Sequence, residues 1–324
     1  MNSNALPKVV GLGPVSSEIV APVLGDQLIY IENPTSDDLL VAQGAIVRAA
    51  FKFDKSVFDS MPNLKVIART GVGTELVDLD AASERGIPVV TTPGSNSMAV
   101  AEGAFAHILH LTKRLGPLTK LVANGNWNER TSYPVGDLAE QTLGIIGYGR
   151  IGVRVSAIAT SFGMKVIAFD PYANIVPEIK ASSLTDLLSK ANVITLHLPL
   201  SEETRGMIGE EQISQMKDGV ILVNCSRGAL IDLDAAFAAL VSGKIGGVGL
   251  DVFDPEPPEH HVLFDHENVV LTPHVMGLSK QATFATLTMA AQGVRDLLTL
   301  NIEKSFEAIP NPKNIKIQND RSNK

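Results

Sequence analysis

The sequence has very little cysteine and tryptophan. Its 324 residues include one cysteine, Cys225, and one tryptophan. A single cysteine cannot form a disulfide within the chain, and this is typical of proteins from a reducing compartment. The first residues, MNSNALPKVV, lack the basic and apolar segments of a secretory signal peptide. No apolar run approaches the roughly 18 residues that cross a bilayer. The sequence therefore predicts a soluble, cytoplasmic protein.

The chain also lacks an excess of positive charge. Lysine and arginine number 27 against 35 aspartate and glutamate residues, which gives a net charge of −8 at pH 7. Nucleic acids and anionic membranes attract dense clusters of basic residues, and no long basic block occurs here. We therefore expect neither a nucleic-acid nor a membrane partner. The length is sufficient for two domains that each bury a core.

Short apolar runs rich in β-branched residues recur along the chain and predict buried strands. They lie at residues 8–12, 45–48, 66–69, 89–91, 143–147, 165–170, 193–198, 220–224, 247–251 and 269–272. Segments with helical spacing separate them, and this alternation is typical of doubly wound parallel sheets. The pattern occurs twice, on either side of one long helix predicted over residues 98–122. We therefore predict an α/β fold with two doubly wound domains.

Pairs of glycines separated by one residue occur four times, at residues 11–13, 71–73, 147–149 and 247–249. Only the third pair continues as GYGRIG, from Gly147 to Gly152, directly after a predicted strand and before a predicted helix. The next predicted strand then ends at Asp170. This combination is the complete fingerprint of a dinucleotide site. A glycine turn without a ligand is the alternative, and the acid at the expected distance argues against it.

Each residue of the fingerprint has a physical role. Gly147 permits a tight turn, Gly149 lets the backbone approach the pyrophosphate, and Gly152 lets the helix pack closely on the strand. The N-terminus of the helix supplies free N–H groups and a partial positive charge. Asp170 is expected to accept hydrogen bonds from the adenosine ribose, and its charge would repel the additional phosphate of NADP. We predict NAD as the cofactor.

Seven segments carry a resemblance that extends over nearly the whole chain. They are GVGTELVDLDAA from residue 71, TPGSNSMAVAE from 92, LGIIGYGRIG from 143, HLPLSEETR from 197, VNCSRGALID from 223, DVFDPEP from 251 and TPH from 272. As a set they resemble the D-2-hydroxyacid dehydrogenase family. The resemblance implies a Rossmann nucleotide domain, residues 99–287, inserted into a flavodoxin-like substrate domain, residues 1–98 and 288–324. It also implies a homodimer that pairs through helices of the nucleotide domain, to which the alanine-rich residues 99–122 are suited.

The resemblance implies three catalytic residues, Arg227, Glu256 and His274. Reduction of a 2-oxo acid requires a hydride at the carbonyl carbon, a proton at its oxygen, and a cation for the carboxylate. The planar guanidinium of Arg227 suits the carboxylate and the adjacent carbonyl oxygen. His274 is the expected proton donor, with Glu256 accepting a hydrogen bond from its other ring nitrogen.

Further site residues are implied by the same resemblance. The additional cofactor residues are Arg150, Ile151, His197, Pro199, Thr204, Cys225, Ser226, Asp251 and Gly277. On the substrate side, backbone N–H groups of Val72 and Gly73 would hold the carboxylate, and Asn96 would lie nearby. His197 could instead be a satisfied core histidine.

The expected partner is a small 2-hydroxy or 2-oxo acid. The segments around Arg48 and Arg69 look like the phosphoglycerate dehydrogenase branch, in which both residues, with Lys52, would place positive charge at the far end of the substrate. D-3-Phosphoglycerate is therefore the leading substrate. Met276 and Leu278 stand where smaller residues are usual and could narrow the pocket, so glyoxylate, hydroxypyruvate and sulfolactate-type acids stay open. No regulatory segment follows in the sequence, and feedback by serine is not expected.

Two other classes of function stay open. Corepressor-like relatives share the fold implied by the resemblance and use NAD mainly to set their assembly state. A metal-dependent hydrolase could use the histidines of residues 251–274. We predict no metal site, because His260 and His261 are adjacent and neither has a partner at a recognised metal spacing. His107 and His110 lie three residues apart on a predicted helix, and we interpret them as a polar strip on an interface helix. The complete catalytic set and the negative charge favour an enzyme.

Overall fold

A computed structural model describes residues 6–48, 51–299 and 307–309. The described chain forms two compact units, one up to Asn96 and again from Lys280, and the other from Ser97 to Ser279. The return to the first unit thus occurs at the first residue of the last long helix, whereas the sequence-based boundary lies within that helix. The polar sequence of residues 311–324 predicts a frayed tail, and these residues lie outside the described ranges.

The strands and helices alternate along most of the described chain. The strands are β1 (Lys8–Leu12), β2 (Ile29–Ile31), β3 (Ala42–Val47), β4 (Val66–Arg69), β5 (Val89–Thr91), β6 (Thr142–Ile146), β7 (Lys165–Phe169), β8 (Val193–Leu196), β9 (Val220–Asn224), β10 (Ile245–Leu250), β11 (Val269–Leu271) and β12 (Glu307–Ile309). The α-helices are α1 (Ser17–Leu24), α2 (Ser36–Val41), α3 (Lys55–Ser60), α4 (Leu79–Glu84), α5 (Ser97–Thr112), α6 (Leu115–Ala123), α7 (Arg150–Ser161), α8 (Leu184–Lys190), α9 (Glu210–Ser214), α10 (Leu233–Ser242) and α11 (Lys280–Leu298).

The sheet of the first unit has the strand order β2-β1-β3-β4-β5-β12. Its first five strands are parallel, and β12 pairs with β5 in the antiparallel direction. The order of the five parallel strands is that of flavodoxin-like folds. Val10 and Ile67 lie in the core on one face of this sheet, and Val9 and Val66 pack with α11 on the other. The flavodoxin-like expectation is confirmed.

The sheet of the second unit is parallel throughout and has the order β7-β6-β8-β9-β10-β11. Helices α5 and α7 pack on one face, and α8 and α10 pack on the other. The strand order reverses between β6 and β8, and ligands of such sheets bind beside the carboxyl ends at this reversal. The expected doubly wound α/β fold is confirmed for both units.

The prediction of one long helix over residues 98–122 was wrong in one respect, because the segment forms two helices, α5 and α6. Arg114 separates them with a left-handed backbone, φ 54°. Pro117 explains the break, since it has no N–H to donate to the carbonyl of Lys113. Such a residue is tolerated in the first turn of a new helix, where N–H groups have no partner within the helix. The side chain of Arg114 is held by a hydrogen bond to Asn268.

Polar side chains begin several of the helices. Thr35, Asp54, Asp78, Ser183 and Asp232 each accept a hydrogen bond from an N–H group of the following first turn. Helix α7 differs, since its N-cap residue is Gly149 and no side chain caps it. Among the described residues, no helix combines the length and apolar character needed to span a membrane.

Candidate active site

The second unit carries its predicted site segments at one edge of the sheet. Each strand contributes at its carboxyl end: Gly147 follows β6, Asp170 follows β7, His197 follows β8, Cys225 follows β9, Asp251 follows β10, and Thr272 follows β11. Parallel strands share that edge, so the sheet brings these segments together although they are distant in sequence. Glu256 and His274 lie in the loops that continue from β10 and β11.

In the glycine loop between β6 and α7, two of the three glycines are required because a side chain would clash with the backbone. Gly147 has φ 92°, and a Cβ atom there would lie 2.4 Å from the carbonyl oxygen of His197. A Cβ atom at Gly152 would lie 2.3 Å from the carbonyl oxygen of Gly147. At Gly149, in contrast, no protein atom lies within 4 Å of the Cβ position. The protein itself requires the first and last glycine, and the middle one leaves open space beside the backbone.

Asp170 connects the end of β7 to the glycine loop. Its Oδ2 accepts a hydrogen bond from the backbone N–H of Tyr148 at 2.8 Å. Its Oδ1 accepts from the N–H groups of Tyr172 at 2.8 Å and Ala173 at 3.1 Å. A carboxylate offers about four acceptor positions, so capacity for a ribose hydroxyl remains. Asp170 therefore holds the loop in addition to the ligand role that the sequence predicts.

These features fit a dinucleotide. Helix α7 presents uncapped N–H groups beside the open space at Gly149, which suits a pyrophosphate. Asp170 stands at the end of the adjacent strand, where the adenosine ribose is recognised in such folds. The residues Arg150 and Ile151 form the first turn of α7, as the motif requires.

The segments after β8 and β9 are tied to each other by Ser226. Its hydroxyl donates to the carbonyl oxygen of Leu196 at 2.9 Å and accepts from the N–H of Leu198 at 3.1 Å. Thr204 closes the loop after β8 by donating to the carbonyl oxygen of Pro199 at 3.0 Å. Both polar side chains thus shape the loops through contacts within the protein.

His197 is a buried residue of this edge. Its Nε2 lies 2.9 Å from Oγ1 of Thr195, and its Nδ1 is buried without a hydrogen-bond partner among the described residues. Burial lowers the pKa of His197 to about 3, so the ring is neutral at physiological pH. The ring is thus a core residue whose Nδ1 is not satisfied in the part of the chain that the structure describes, and its carbonyl contacts the glycine loop. The role of His197 at the cofactor stays a prediction.

Arg227 lies on the turn after β9, and a buried asparagine shapes that turn. The side-chain amide of Asn224 donates to the carbonyl oxygen of Arg227 at 2.8 Å and accepts from the N–H of Ser226 at 3.0 Å. A Cβ atom at Gly228 would lie 2.1 Å from the backbone of Phe253, so the turns after β9 and β10 are in close contact. The role of Asn224 was missed, although a polar residue at the end of the apolar run VILVN was a usable signal.

His274 and Glu256 form a hydrogen-bonded pair. The Nδ1 atom of His274 lies 2.7 Å from Oε2 of Glu256, and Oε1 of Glu256 accepts from the N–H of Phe253 at 3.0 Å. The carboxylate accepts from Nδ1–H and leaves Nε2 for other partners. About half of the His274 side chain is exposed, with a relative accessibility of 51%. The pair can therefore exchange a proton with a ligand through Nε2.

Asp251 fixes the loop that carries His274. Its Oδ1 accepts from the hydroxyl of Thr272 at 2.6 Å and from the N–H of Val275 at 2.9 Å, and its Oδ2 accepts from the N–H of Met276 at 3.1 Å. His274 itself has a left-handed φ of 54°, which costs a residue other than glycine about 1–3 kcal/mol. The contacts on both sides of His274 offset this strain, so Asp251 belongs to the site through the loop it holds.

The remaining predicted cofactor residues of this edge are Cys225 and Gly277. Cys225 is buried, and burial followed by the charge of Asp251 raises the pKa of its thiol. Gly277 follows Met276, whose side chain packs on Gly103 of α5 in the core of the unit. The expectation that Met276 narrows the substrate pocket is therefore not supported, whereas Leu278 is exposed.

The other histidines of residues 251–274 make local contacts. The Nε2 of His260 lies 3.1 Å from Asp265, the Nε2 of His261 lies 3.1 Å from Asp234, and the Nδ1 of His266 accepts from the N–H of Asn268 at 3.1 Å. Within the described ranges, no group of three or more histidine, cysteine or acidic residues is arranged to hold a metal ion. The hypothesis of a metal-dependent hydrolase has no supporting residue set there.

In the first unit, the predicted substrate residues also follow strand ends. Arg48 follows β3, and its guanidinium donates to the carbonyl oxygen of Pro14 and to Oγ1 of Thr283, both at 3.0 Å. Burial lowers the pKa of Arg48, which nevertheless stays charged at neutral pH. Arg69 ends β4 and donates to the carbonyl oxygen of Val47 at 3.4 Å.

Two hydrogen bonds connect the loop after β4 to the end of β5. The N–H of Gly71 donates to Oγ1 of Thr92 at 2.7 Å, and the N–H of Thr92 donates to the carbonyl oxygen of Gly71 at 3.0 Å. Val72 is exposed, and Gly73 and Asn96 are half-buried. The loop therefore presents the backbone of Val72 and Gly73 at the surface of its own unit.

Comparison with known proteins finds one matching family and similar dehydrogenases and reductases. The sequence matches the family described as D-isomer specific 2-hydroxyacid dehydrogenase, NAD binding domain, over residues 105–276. It is 38% identical over 292 residues to D-3-phosphoglycerate dehydrogenase of Bacillus subtilis, which covers 88% of this chain and 55% of the relative. It is 40% identical over 244 residues to hydroxypyruvate reductase of Thermotoga maritima, which covers 73% of this chain and 78% of the relative.

A solved structure has the same fold. D-Lactate dehydrogenase from Aquifex aeolicus, complexed with NAD and lactic acid, gives a TM-score of 0.78 at 31% identity, over 91% of this chain and 96% of that chain. The present chain spans about half the length of the D-3-phosphoglycerate dehydrogenases it matches.

Proposed function

Because the chain belongs to the D-isomer specific 2-hydroxyacid dehydrogenase family, we propose that it is an NAD-dependent enzyme that interconverts a D-2-hydroxy acid and its 2-oxo acid. The observation that carries this proposal is the 2.7 Å contact between His274 and Glu256, on the sheet edge that also bears Arg227 and the glycine loop. That arrangement supplies a proton-exchanging group, a cation and a dinucleotide cradle within one unit.

The side chains divide the chemistry as follows. The glycine loop from Gly147 to Gly152 and Asp170 would hold NAD, which would supply the hydride acceptor for the oxidation and, as NADH, the hydride donor for the reduction. In the oxidation, Nε2 of His274 accepts the hydroxyl proton, and Glu256 stabilises the imidazolium through its contact with Nδ1. In the reduction, the same nitrogen returns the proton to the carbonyl oxygen. Arg227 binds the carboxylate and holds the acid for the transfer.

D-3-Phosphoglycerate is the proposed substrate. The 38% identity to D-3-phosphoglycerate dehydrogenase over most of the chain supports it. Arg48 and Arg69 also support it, because they lie at the carboxyl ends of the neighbouring strands β3 and β4 in the first unit. Hydroxypyruvate and glyoxylate are the second candidates, because the hydroxypyruvate reductase relative is 40% identical.

The test is NADH formation with D-3-phosphoglycerate, D-glycerate and D-lactate, and NADH consumption with hydroxypyruvate and glyoxylate. We expect His274→Ala to lower kcat by about 10²–10⁴-fold, the usual range for a general acid–base group, with NADH binding retained. Arg227→Ala should raise KM for the acid as well as lower kcat. His260→Ala is the matched control, because its exposed ring contacts Asp265 and Phe264.

Two outcomes would reject the proposal in different ways. If the wild-type protein binds NADH and turns over none of these acids, while NADH changes its assembly state, the chain is an NAD-sensing binding module. If it turns over an acid and His274→Ala does so equally fast, the assignment of the proton donor is wrong.

We also propose a homodimer. The sequence places an alanine-rich stretch at residues 99–122, but nine residues of α5 are already buried. Helix α6 has a single buried residue and exposes Leu115 and Val122, so it is the part of the stretch that can contact a second copy. Sedimentation equilibrium should give twice the 34.5 kDa chain mass. A cytoplasmic location stays a prediction.

A further inference from the structure

The fourth glycine pair of the sequence, Gly247 and Gly249 on β10, has a packing role. A Cβ atom at Gly247 would lie 3.0 Å from the side chain of Leu111, and one at Gly249 would lie 2.9 Å from Cβ of His107. Both contacted residues belong to α5. The two glycines therefore let α5 approach the sheet closely, with the ring of His107 directly against Gly249.

His107 is buried at this contact, with 1% of its surface exposed. This overturns its interpretation as part of a polar strip on an interface helix. Its Nε2 lies 3.1 Å from Oγ1 of Thr272, and Thr272 donates its only hydroxyl proton to Asp251 at 2.6 Å. The hydroxyl must therefore accept from His107, which places the ring proton on Nε2. Burial, the largest effect, lowers the pKa of His107 despite the opposing charge of Asp251, so the neutral ring with one N–H is the stable form.

The contacts form a continuous path from α5 to the loop of His274. His107 donates to Thr272, Thr272 donates to Asp251, and Asp251 accepts from the N–H groups of Val275 and Met276. His274 lies between the two anchored parts of the loop and has the strained φ of 54°. Movement of the Thr272 hydroxyl would remove one of the hydrogen bonds that orient the carboxylate of Asp251, which holds the backbone beyond His274.

We propose that His107 is a positioning residue, which acts through Thr272 and Asp251 to hold the backbone on both sides of His274. It touches neither substrate nor cofactor in this role. The expected effect of residue 107 on turnover rests on the proposed function. Its effect on the structure of the His274 loop does not depend on that function. A residue that only filled the core would be replaceable by an apolar side chain of similar size.

Three variants at one position separate these roles. His107→Leu fills the space and removes the donor. His107→Gln is neutral and can place an amide N–H near the position of Nε2, so it retains the donation to Thr272. His107→Asn is the matched control, since its amide is one carbon shorter and falls near the position of Nδ1. Thr272→Val removes the link itself and tests the path independently of residue 107.

The first measurement is hydrogen–deuterium exchange of peptides that cover residues 272–279, which needs no substrate. We expect His107→Leu, His107→Asn and Thr272→Val to raise the exchange rates of the Val275 and Met276 amides about fivefold, the size of effect expected for one hydrogen bond. His107→Gln should restore them. Exchange of the strands β6 and β8 should be unchanged, which excludes general destabilisation.

The second measurement is the kinetics of the acid that the wild-type protein turns over. The same variants should lower kcat about fivefold and leave the Kd of NADH unchanged, with rescue by His107→Gln. The proposal is overturned if exchange of residues 272–279 is unchanged in His107→Leu, if it rises equally throughout the unit, or if Asn and Gln behave alike. If the wild-type protein turns over no acid, the proposed function is wrong. The exchange measurement then still decides whether His107 positions the loop.

Discussion

Asp170 shows how one side chain combines a structural and a ligand role. Three backbone N–H groups already point to its carboxylate, and one of them, from Tyr148, belongs to the glycine loop. A carboxylate is well suited to this task because both oxygens only accept hydrogen bonds. The role in the loop and the predicted discrimination between NAD and NADP would therefore depend on the same charge.

Asp170→Asn should change the binding of NADH and that of NADPH by different amounts. The variant keeps the size of the side chain but turns a donor towards at least one of the backbone N–H groups, so NADH binding should weaken about tenfold. Repulsion of the additional phosphate of NADPH disappears, and the ratio of the two Kd values, NADPH over NADH, should fall about fivefold. Fluorescence titration measures both constants. Asp218→Asn, at an exposed acid paired with Lys244, is the control; an unchanged ratio in Asp170→Asn would show that Asp170 does not select NAD.

The residues of the site differ in how far the sequence could predict them. The glycine loop and Asp170 form a dense local pattern whose geometry follows from a strand, a turn and a helix. The contact between His274 and Glu256 spans eighteen positions of irregular chain and was inferred from the family resemblance. The holding of the loop by Asp251 and His107 arises only when three elements pack, and no local pattern encodes it. Both residues were nevertheless visible as polar residues within apolar segments.

At the scale of elements, the parallel strands were the most predictable part. The apolar runs at residues 66–69, 89–91 and 220–224 coincide with β4, β5 and β9. Burial on both faces makes such strands continuously apolar, which is a strong signal. Two strands at the sides of the first sheet were missed: β12, EAI, offers no apolar run, whereas β2, IYI, carries one that was overlooked. The break between α5 and α6 was missed because apolar residues continue across Pro117.

The glycine loop gives a prediction at this scale that contrasts two glycines of one motif. A methyl group at Gly152 would lie 2.3 Å from the carbonyl oxygen of Gly147, so Gly152→Ala must displace α7 from the loop. We expect a loss of about 2–4 kcal/mol in the free energy of unfolding, of the size found for other forced overpacking and strain. Urea denaturation without cofactor measures it.

Gly149→Ala is the matched variant. Its φ of −84° is open to alanine, and the added methyl group meets no protein atom within 4 Å. The free energy of unfolding should therefore stay within about 0.5 kcal/mol of the wild type, while the Kd of NADH should rise at least tenfold, because the methyl group occupies the space needed for close approach of the pyrophosphate. Equal stability losses in the two alanine variants would contradict the steric account of the loop.

At the scale of the whole molecule, the second unit buries two neutral histidines. His107 lies on α5, against the sheet, and His197 directly follows β8 of that sheet. Burial lowers the pKa of both, and that of His197 falls from 6.5 to about 3. Below about pH 6.5 the unfolded chain binds protons that the folded chain does not. Their contribution to stability is thus complete above that pH and is lost progressively as the pH falls towards the folded pKa.

His197→Gln tests this account of acid sensitivity. The amide can keep the hydrogen bond to Thr195, and it does not titrate. A buried neutral histidine contributes at most about 1.4 kcal/mol per pH unit, so between about pH 6.5 and pH 5 the wild type should lose up to about 2 kcal/mol more than the variant. Urea denaturation at several pH values measures the two slopes. His260→Gln removes an exposed ring and should keep the wild-type slope. If His197→Gln also keeps it, protonation of His197 does not limit stability in acid, and His107 or the carboxylates must account for the pH dependence.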